Sequence, residues 1–93
     1  PHTGWNCNSL VNKTSPFSCI DGEYTYFVHS YYVKCETRYI TAVADYGMEI
    51  PAVVAHGNVY GMQFHPEKSA AIGLRLLQRF NELCEAHTAG YEA

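Results

Sequence analysis

The stretch VYGMQFHPEKSAAIGLRLLQRF, residues 59–80, decides the fold, because a strand pattern changes there into a helical pattern within a few residues. Residues 59–64 predict a β-strand, and Pro66 ends it because proline has no N–H to donate to a hydrogen-bonded ladder. Ser69 is a favourable N-cap, so a helix of about four turns is predicted to begin there and to pack one side on a sheet. The residues of its apolar face are Ile72, Leu76, Phe80, Leu83 and Cys84, widened by Leu74 and Leu77.

Three further strands are predicted upstream of this unit. Residues 24–33 are aromatic and β-branched, and residues 38–46 have a similar composition. The short linker between these two segments predicts an antiparallel hairpin. Residues 50–56 form a third short strand, in which Pro51 indicates a sheet edge or a strand start.

Residues 1–23 are rich in Asn, Ser, Gly and Pro, which predicts a loop that could include one short strand. The chain is therefore expected to be α/β, with mainly β-strands, an antiparallel hairpin and one C-terminal helix. A chain of 93 residues forms one domain at most. One helix cannot cover both faces of a sheet, and the chain begins at Pro1, so we expect a missing upstream segment. An uncovered sheet edge further predicts self-association.

Composition excludes several classes of protein. The 47% hydrophobic and 14% aromatic content indicates a globular chain. A net charge of -3 without a basic stripe argues against nucleic-acid binding, and no apolar run is long enough to span a membrane. We expect no signal peptide. Four irregularly spaced cysteines without a CxxC pair favour reduced thiols in a cytoplasmic protein over a disulfide framework.

The segment His65-Pro66-Glu67 contains the best candidates for catalytic side chains. His65 leaves the last strand at its C-terminal end, where open α/β sheets place their active sites. Glu67 precedes a helix N-terminus, where a carboxylate is electrostatically favoured. Such a pair can act as a base and the group that orients it, as in nucleophile triads. A lone His-x-Glu is nevertheless more often structural than catalytic.

Metal chemistry is the competing interpretation of this segment. Zinc deaminases combine H-x-E with a downstream P-C-x-x-C, but Cys84 is the only cysteine after Glu67. A zinc site built from His29, His65 and a carboxylate remains open, although no spacing requires it. We expect neither a metal nor a cofactor.

Other conspicuous side chains have two interpretations each. His29 is predicted to be half-buried with a satisfied ring nitrogen, with an active-site wall as the alternative. Trp5 is more often a core residue than a binding residue, whereas an exposed tryptophan would indicate an interface. Lys68 is ordinarily a solvated lysine at a helix start. No cysteine lies in a G-x-C-x-G turn, so no nucleophile is assigned. The remaining histidines are predicted at loops or the surface: His2, His56 and His87.

Three segments resemble one known family. They are PHTGWN at 1–6, YFVHSYYV at 26–33 and GNVYGMQFHPEKSAAIGLRLLQRF at 57–80. Together they are similar to class I glutamine amidotransferases, and more closely to the glutaminase subunits of imidazole glycerol phosphate synthase. The QFHPE piece marks only the superfamily, while the first two segments make the subunit assignment specific.

The resemblance implies the C-terminal part of a flavodoxin-like amidotransferase domain, covering residues 1–93. Its chemistry is hydrolysis of glutamine by a Cys-His-Glu triad, with His65 as the histidine and Glu67 as its orienter. The family's nucleophile lies upstream of the segment resembling 1–6, so these residues alone are expected to be inactive. The loop from Asn8 to Glu23 is longer than the family usually has.

The resemblance also implies a partner. Ammonia would pass to a (β/α)8-barrel cyclase subunit that makes imidazole glycerol phosphate and an aminoimidazole carboxamide ribotide in histidine biosynthesis. Trp5, Tyr26 and Lys68 match positions that lie toward that partner in the family. The alternatives are a non-catalytic binding or scaffold module, or the C-terminal part of another class I amidotransferase.

Overall fold

A computed structural model describes residues 1–92, with the side-chain surroundings of residues 1–86. It contains one antiparallel five-stranded sheet of order β2-β1-β3-β4-β5, followed by a single helix. This confirms the expected class of mainly β-strands with one C-terminal helix. The elements are β1 (His2–Leu10), β2 (Tyr24–His29), β3 (Ile40–Asp45), β4 (Glu49–His56), β5 (Val59–Met62) and α1 (Ala70–Glu92).

Strand β1 corrects the prediction for residues 1–23. It is nine residues long and lies between β2 and β3, so the predicted hairpin between 24–33 and 38–46 is wrong. Asparagine and glycine are depleted in strands, but pairing on both sides overrides that local preference. Asn8 illustrates this, because its buried amide donates to Glu23 O and Thr25 Oγ1, both at 2.9 Å.

The observed hairpins are β3–β4 and β4–β5. Pro51 lies near the start of β4, as its missing N–H predicts, although β4 is not an edge strand. Strand β2 ends at His29 and β5 ends at Met62, so both strands are shorter than their apolar composition predicted.

Helix α1 packs only part of its predicted apolar face. Ile72 and Leu76 are buried and Leu83 packs against the core, whereas Phe80 is 45% exposed and Cys84 is exposed. Two further exposed apolar side chains of α1 are Leu74 and Leu77. Within residues 1–92 no helix is long and apolar enough to cross a membrane. The other buried apolar residues of the core cluster are Phe17, Ile20, Phe27, Ala42, Ala44, Ala52, Val53 and Phe64.

The backbone after β5 joins two strands that are not neighbours in the sheet. Gln63 N–H donates to Ala52 O of β4 at 2.8 Å, and His65 N–H donates to Tyr26 O of β2 at 2.9 Å. The sheet must therefore curl so that β4 and β2 both reach the segment 63–65. This curl places the following turn, residues 65–69, against the outer edge of β2.

Gly73 allows the N-terminal end of α1 to lie against the 65–69 turn. A Cβ at this position would be 1.8 Å from Pro66 O and 3.1 Å from Ser69 Cβ. Such a separation is far below van der Waals contact, so only glycine permits this approach. Ala70, at the start of the helix, has a φ of 55°, which is uncommon for a residue other than glycine.

His2 is buried, contrary to its predicted surface position. It is 5% exposed, and its ring stacks between those of Phe27 and Tyr46, with centroid distances of 4.4 and 4.3 Å. His56 is exposed, as predicted, and the side chain of His87 lies outside the described residues.

The hydrogen bonds around His2 and His29 determine one set of tautomers. Tyr31 O can only accept, so His29 carries its proton on Nδ1, 2.8 Å away. His29 Nε2 then accepts from His2 Nδ1 at 2.9 Å, and His2 Nε2 accepts from Asn6 Nδ2 at 3.2 Å. Both imidazoles are neutral in this arrangement. His29 is half-buried with satisfied ring nitrogens, which confirms its predicted structural environment.

We predict that Gly73→Ala destabilises the protein by about 3 kcal/mol, because the new methyl group overlaps the Pro66 carbonyl oxygen and forces the backbone to move. The free energy of unfolding in urea measures the effect. Gly61→Ala is the matched control, since its Cβ meets only the Val54 Cγ2 methyl at 3.1 Å. Equal losses in the two variants would contradict the close approach at Gly73.

We predict that acidification destabilises the fold through His2. Burial, and secondly the neighbouring His29, lower the pKa of His2 from its ordinary 6.5. Below about pH 6.5 the unfolded chain therefore binds more protons than the folded one, and the free energy of unfolding falls. This contribution is complete above the unfolded pKa and is lost as the pH falls through the lowered folded pKa.

The measurement compares urea unfolding of the wild type and His2→Gln between pH 7.5 and 5. The variant is expected to show a smaller pH dependence, while His56→Gln, at an exposed position, is expected to retain it. An unchanged pH dependence in His2→Gln would show that other groups control acid stability.

Candidate active site

The turn that follows β5 brings His65 and Glu67 together. His65 Nδ1 lies 2.9 Å from Glu67 Oε1. Residues Pro66–Lys68 form a 3₁₀ turn with proline at its first position, where a missing N–H costs nothing. Lys68 N–H donates to His65 O at 3.0 Å and closes the turn. The structure thus gives the two side chains the geometry of a base and its orienting carboxylate.

The carboxylate determines which nitrogen of the histidine is basic. Hydrogen bonding to its own backbone N–H, and then to His65, lowers the pKa of Glu67, so this carboxyl is ionised at neutral pH. An ionised carboxylate only accepts, so the neutral imidazole of His65 carries its proton on Nδ1. The lone pair is then on Nε2. The His65 side chain is 41% exposed and can therefore be reached by a reacting group.

Tyr26 and Ser69 hold the main chain of the turn. His65 N–H donates to Tyr26 O, while the Ser69 hydroxyl donates to His65 O at 2.6 Å and accepts from Tyr26 N–H at 3.0 Å. Ser69 precedes the helix as predicted, and its carbonyl oxygen accepts from Gly73 N–H at 3.3 Å. Its hydroxyl, however, bonds to the turn and to β2. The sequence carries no signal for this, because an N-cap alone explains a serine there.

The three residues predicted at a partner surface lie around the same edge of the sheet. Trp5 is directly opposite Tyr26 across β1 and β2, with ring centroids 5.7 Å apart and nearly perpendicular. Trp5 is 53% exposed, so the expectation of a core tryptophan is wrong. Lys68 is exposed on the turn whose backbone bonds to Tyr26.

The remaining predicted groups do not join this pair. All four cysteines are free thiols, and each stands in the sequence context that gave no nucleophile. Both ring nitrogens of His29 are engaged by His2 and Tyr31, which leaves no free ligand for zinc. Over the part of the chain that the structure describes, no three His, Cys, Asp or Glu residues are grouped to hold a metal ion.

Comparison with known proteins gives one consistent result. The sequence pattern that defines the glutamine amidotransferase class-I family matches residues 1–82. A Lactiplantibacillus plantarum protein named imidazole glycerol phosphate synthase subunit HisH is 49% identical over 87 residues, which is 94% of this chain and 42% of that protein. Proteins of the same name from Listeria monocytogenes and Streptococcus gordonii are 48% and 46% identical, over 89% and 98% of this chain.

The chain spans less than half the length of these relatives, namely 40% of the Listeria protein and 44% of the Streptococcus protein. The matched segment nevertheless includes the strand end, the His65–Glu67 turn and the start of the helix. The pattern match and the sheet-then-helix architecture together establish that this chain belongs to the class I glutamine amidotransferase family.

Proposed function

We propose that this chain is the C-terminal part of the glutaminase subunit of imidazole glycerol phosphate synthase. The observation that carries the proposal is the His65–Glu67 hydrogen bond of 2.9 Å, within a chain 46–49% identical to subunits of that name. In this proposal residues 1–93 are one partial amidotransferase domain, and the complete subunit works in the cytoplasm.

The proposed reaction needs a base at His65 Nε2. A cysteine upstream of this chain supplies the thiol, and His65 takes its proton as the sulfur attacks the glutamine carboxamide carbon. His65 then gives that proton to the departing nitrogen, which leaves as ammonia. Water hydrolyses the resulting thioester to glutamate and restores the thiol. Glu67 keeps the ring oriented and stabilises the imidazolium formed in each half of the cycle.

The proposed partner is the (β/α)8-barrel cyclase, which uses the ammonia to make imidazole glycerol phosphate and the aminoimidazole carboxamide ribotide. Trp5, Tyr26 and Lys68 are proposed to contact it. Tryptophan is prominent among residues that dominate binding at interfaces, and Trp5 presents an exposed ring beside the turn. In the absence of its upstream segment, the chain is proposed to self-associate.

We predict that His65→Ala lowers kcat for glutamine by about 10⁴-fold in the complete subunit with cyclase bound, because no base remains for the thiol. Glu67→Gln is expected to lower kcat by about 10²- to 10⁴-fold, since an amide does not select the Nδ1–H tautomer. Glutamate release in a coupled assay measures both. His56→Gln is the control and is expected to stay within about twofold of wild type.

The 93-residue chain alone is expected to release no ammonia from glutamine, since it lacks the nucleophile. Turnover by the isolated chain would contradict the missing-nucleophile argument. A complete subunit that binds cyclase but has no glutaminase activity would favour the alternative of a scaffold module. The upstream reading frame gives a direct check, because the proposal requires a G-x-C-x-G turn there.

We predict that Trp5→Ala weakens cyclase binding by about tenfold or more, because it removes a large exposed ring from the proposed interface. Lys68→Ala is expected to reduce both the association rate and its dependence on salt. Calorimetric titration and stopped-flow mixing of the complete subunit with cyclase provide the measurements. Val59→Ala, on the opposite edge strand, is the control. Unchanged affinity in Trp5→Ala would remove Trp5 from the interface.

A further inference from the structure

Ser69 is the only described residue whose side chain bonds both to the His65 main chain and to β2. Its hydroxyl is fully buried, at 0% exposure. It donates to His65 O at 2.6 Å and accepts from Tyr26 N–H at 3.0 Å. A hydroxyl has one proton to donate, and both of these contacts are directional. The bond to the His65 carbonyl uses that proton, so the bond from Tyr26 N–H uses a lone pair.

These bonds tie both peptide groups of His65 to the same point on β2. The N–H side is bonded directly to Tyr26 O at 2.9 Å, and the C=O side is bonded to Tyr26 N–H through Ser69. His65 is thus held as if it were a residue of an added strand, with the Ser69 hydroxyl replacing one carbonyl acceptor. The direction of its Cα–Cβ bond follows from this pairing.

The imidazole ring of His65 has few packing contacts of its own. The side chains of His65 and Glu67 are 41% and 60% exposed, so packing does not fix their rotamers. Their mutual hydrogen bond forms only if the backbone places the two residues correctly across Pro66. Backbone anchoring is therefore the dominant constraint on where Nε2 points.

We propose that Ser69 is a positioning residue for catalysis: its hydroxyl fixes the His65 main chain, so that Nδ1 meets Glu67 and Nε2 faces the reacting thiol and amide. This inference rests on the proposed glutaminase function. It gives the Ser69 hydroxyl a role other than starting the helix. The main-chain carbonyl of Ser69 already takes part in the helix start, because it accepts from Gly73 N–H. Ser69 is fully buried, so bulk solvent does not compete for these two hydrogen bonds.

The principal test is Ser69→Ala in the complete subunit with cyclase bound. We expect kcat for glutamine to fall by about 10²-fold, because a displacement of about 1 Å in a catalytic group has that effect, with KM changed by less than about threefold. The matched control is Ser15→Ala. Ser15 is also buried and accepts Phe17 N–H at 3.1 Å, but on the loop after β1, so kcat should stay near wild type.

Two conservative variants test how kcat depends on the hydroxyl group. Ser69→Thr keeps the hydroxyl and is expected to recover most of kcat. Ser69→Cys keeps the approximate size but has a weaker donor and longer bonds, so its kcat should lie between those of wild type and Ser69→Ala. If Ser69→Ala does not fold, this pair decides the question: equal, wild-type kcat in both would overturn the proposal.

The second readout is independent of glutamine turnover. Two-bond ¹⁵N–¹H spectra of the His65 imidazole report which nitrogen carries the proton. Wild type and Ser15→Ala should show the Nδ1–H tautomer, and Ser69→Ala should shift toward Nε2–H as the Glu67 bond is lost. An unchanged tautomer in Ser69→Ala would refute the positioning role. A wild-type subunit without glutaminase activity would refute the proposed function, while this spectrum would still report on Ser69.

Discussion

The main-chain N–H and C=O of Tyr26 form the hydrogen bonds that hold the 65–69 turn on the sheet. Both groups bond to the turn, so they point away from β1, and Tyr26 faces Trp5 as a non-hydrogen-bonded pair. In such a pair the two side chains are closer together, which agrees with the contact of the Trp5 and Tyr26 rings. The same interaction covers part of an edge strand that would otherwise present unpaired peptide groups.

Helix α1 confines the turn from its other side. The absence of a side chain at Gly73 lets the first helical turn lie directly on Pro66, while Ser69 fills the space between the helix and β2. The backbone of the turn is therefore held from two sides, although His65 and Glu67 are both partly exposed. This combination suits the proposed role of His65, that of a base accessible to substrate and kept in one orientation.

Side chains alternate along β1, so one face of the strand is buried and the other is exposed. His2 and Asn8 face inward and are buried in hydrogen-bonded positions, and Trp5 faces outward. Polar side chains of this strand donate to both neighbouring strands: Asn8 Nδ2 donates to Thr25 Oγ1 of β2 at 2.9 Å, and Asn6 Nδ2 donates to Asp45 O of β3 at 2.7 Å. Burial lowers the pKa of the inward His2, whereas the outward Trp5 is exposed.

The sequence by itself determined the strand, turn and helix of residues 59–80, the proximity of His65 and Glu67, and the family. These features are local, since strand alternation, a proline stop and a two-residue separation act within a few residues of chain. Only the tertiary structure decided that β1 lies inside the sheet, that Trp5 is exposed and that the Ser69 hydroxyl bonds to Tyr26. These depend on contacts between residues far apart in sequence, such as Ser69 with Tyr26 across 43 positions. Local propensity carries no information about such contacts, because the curl of the sheet brings the two partners together.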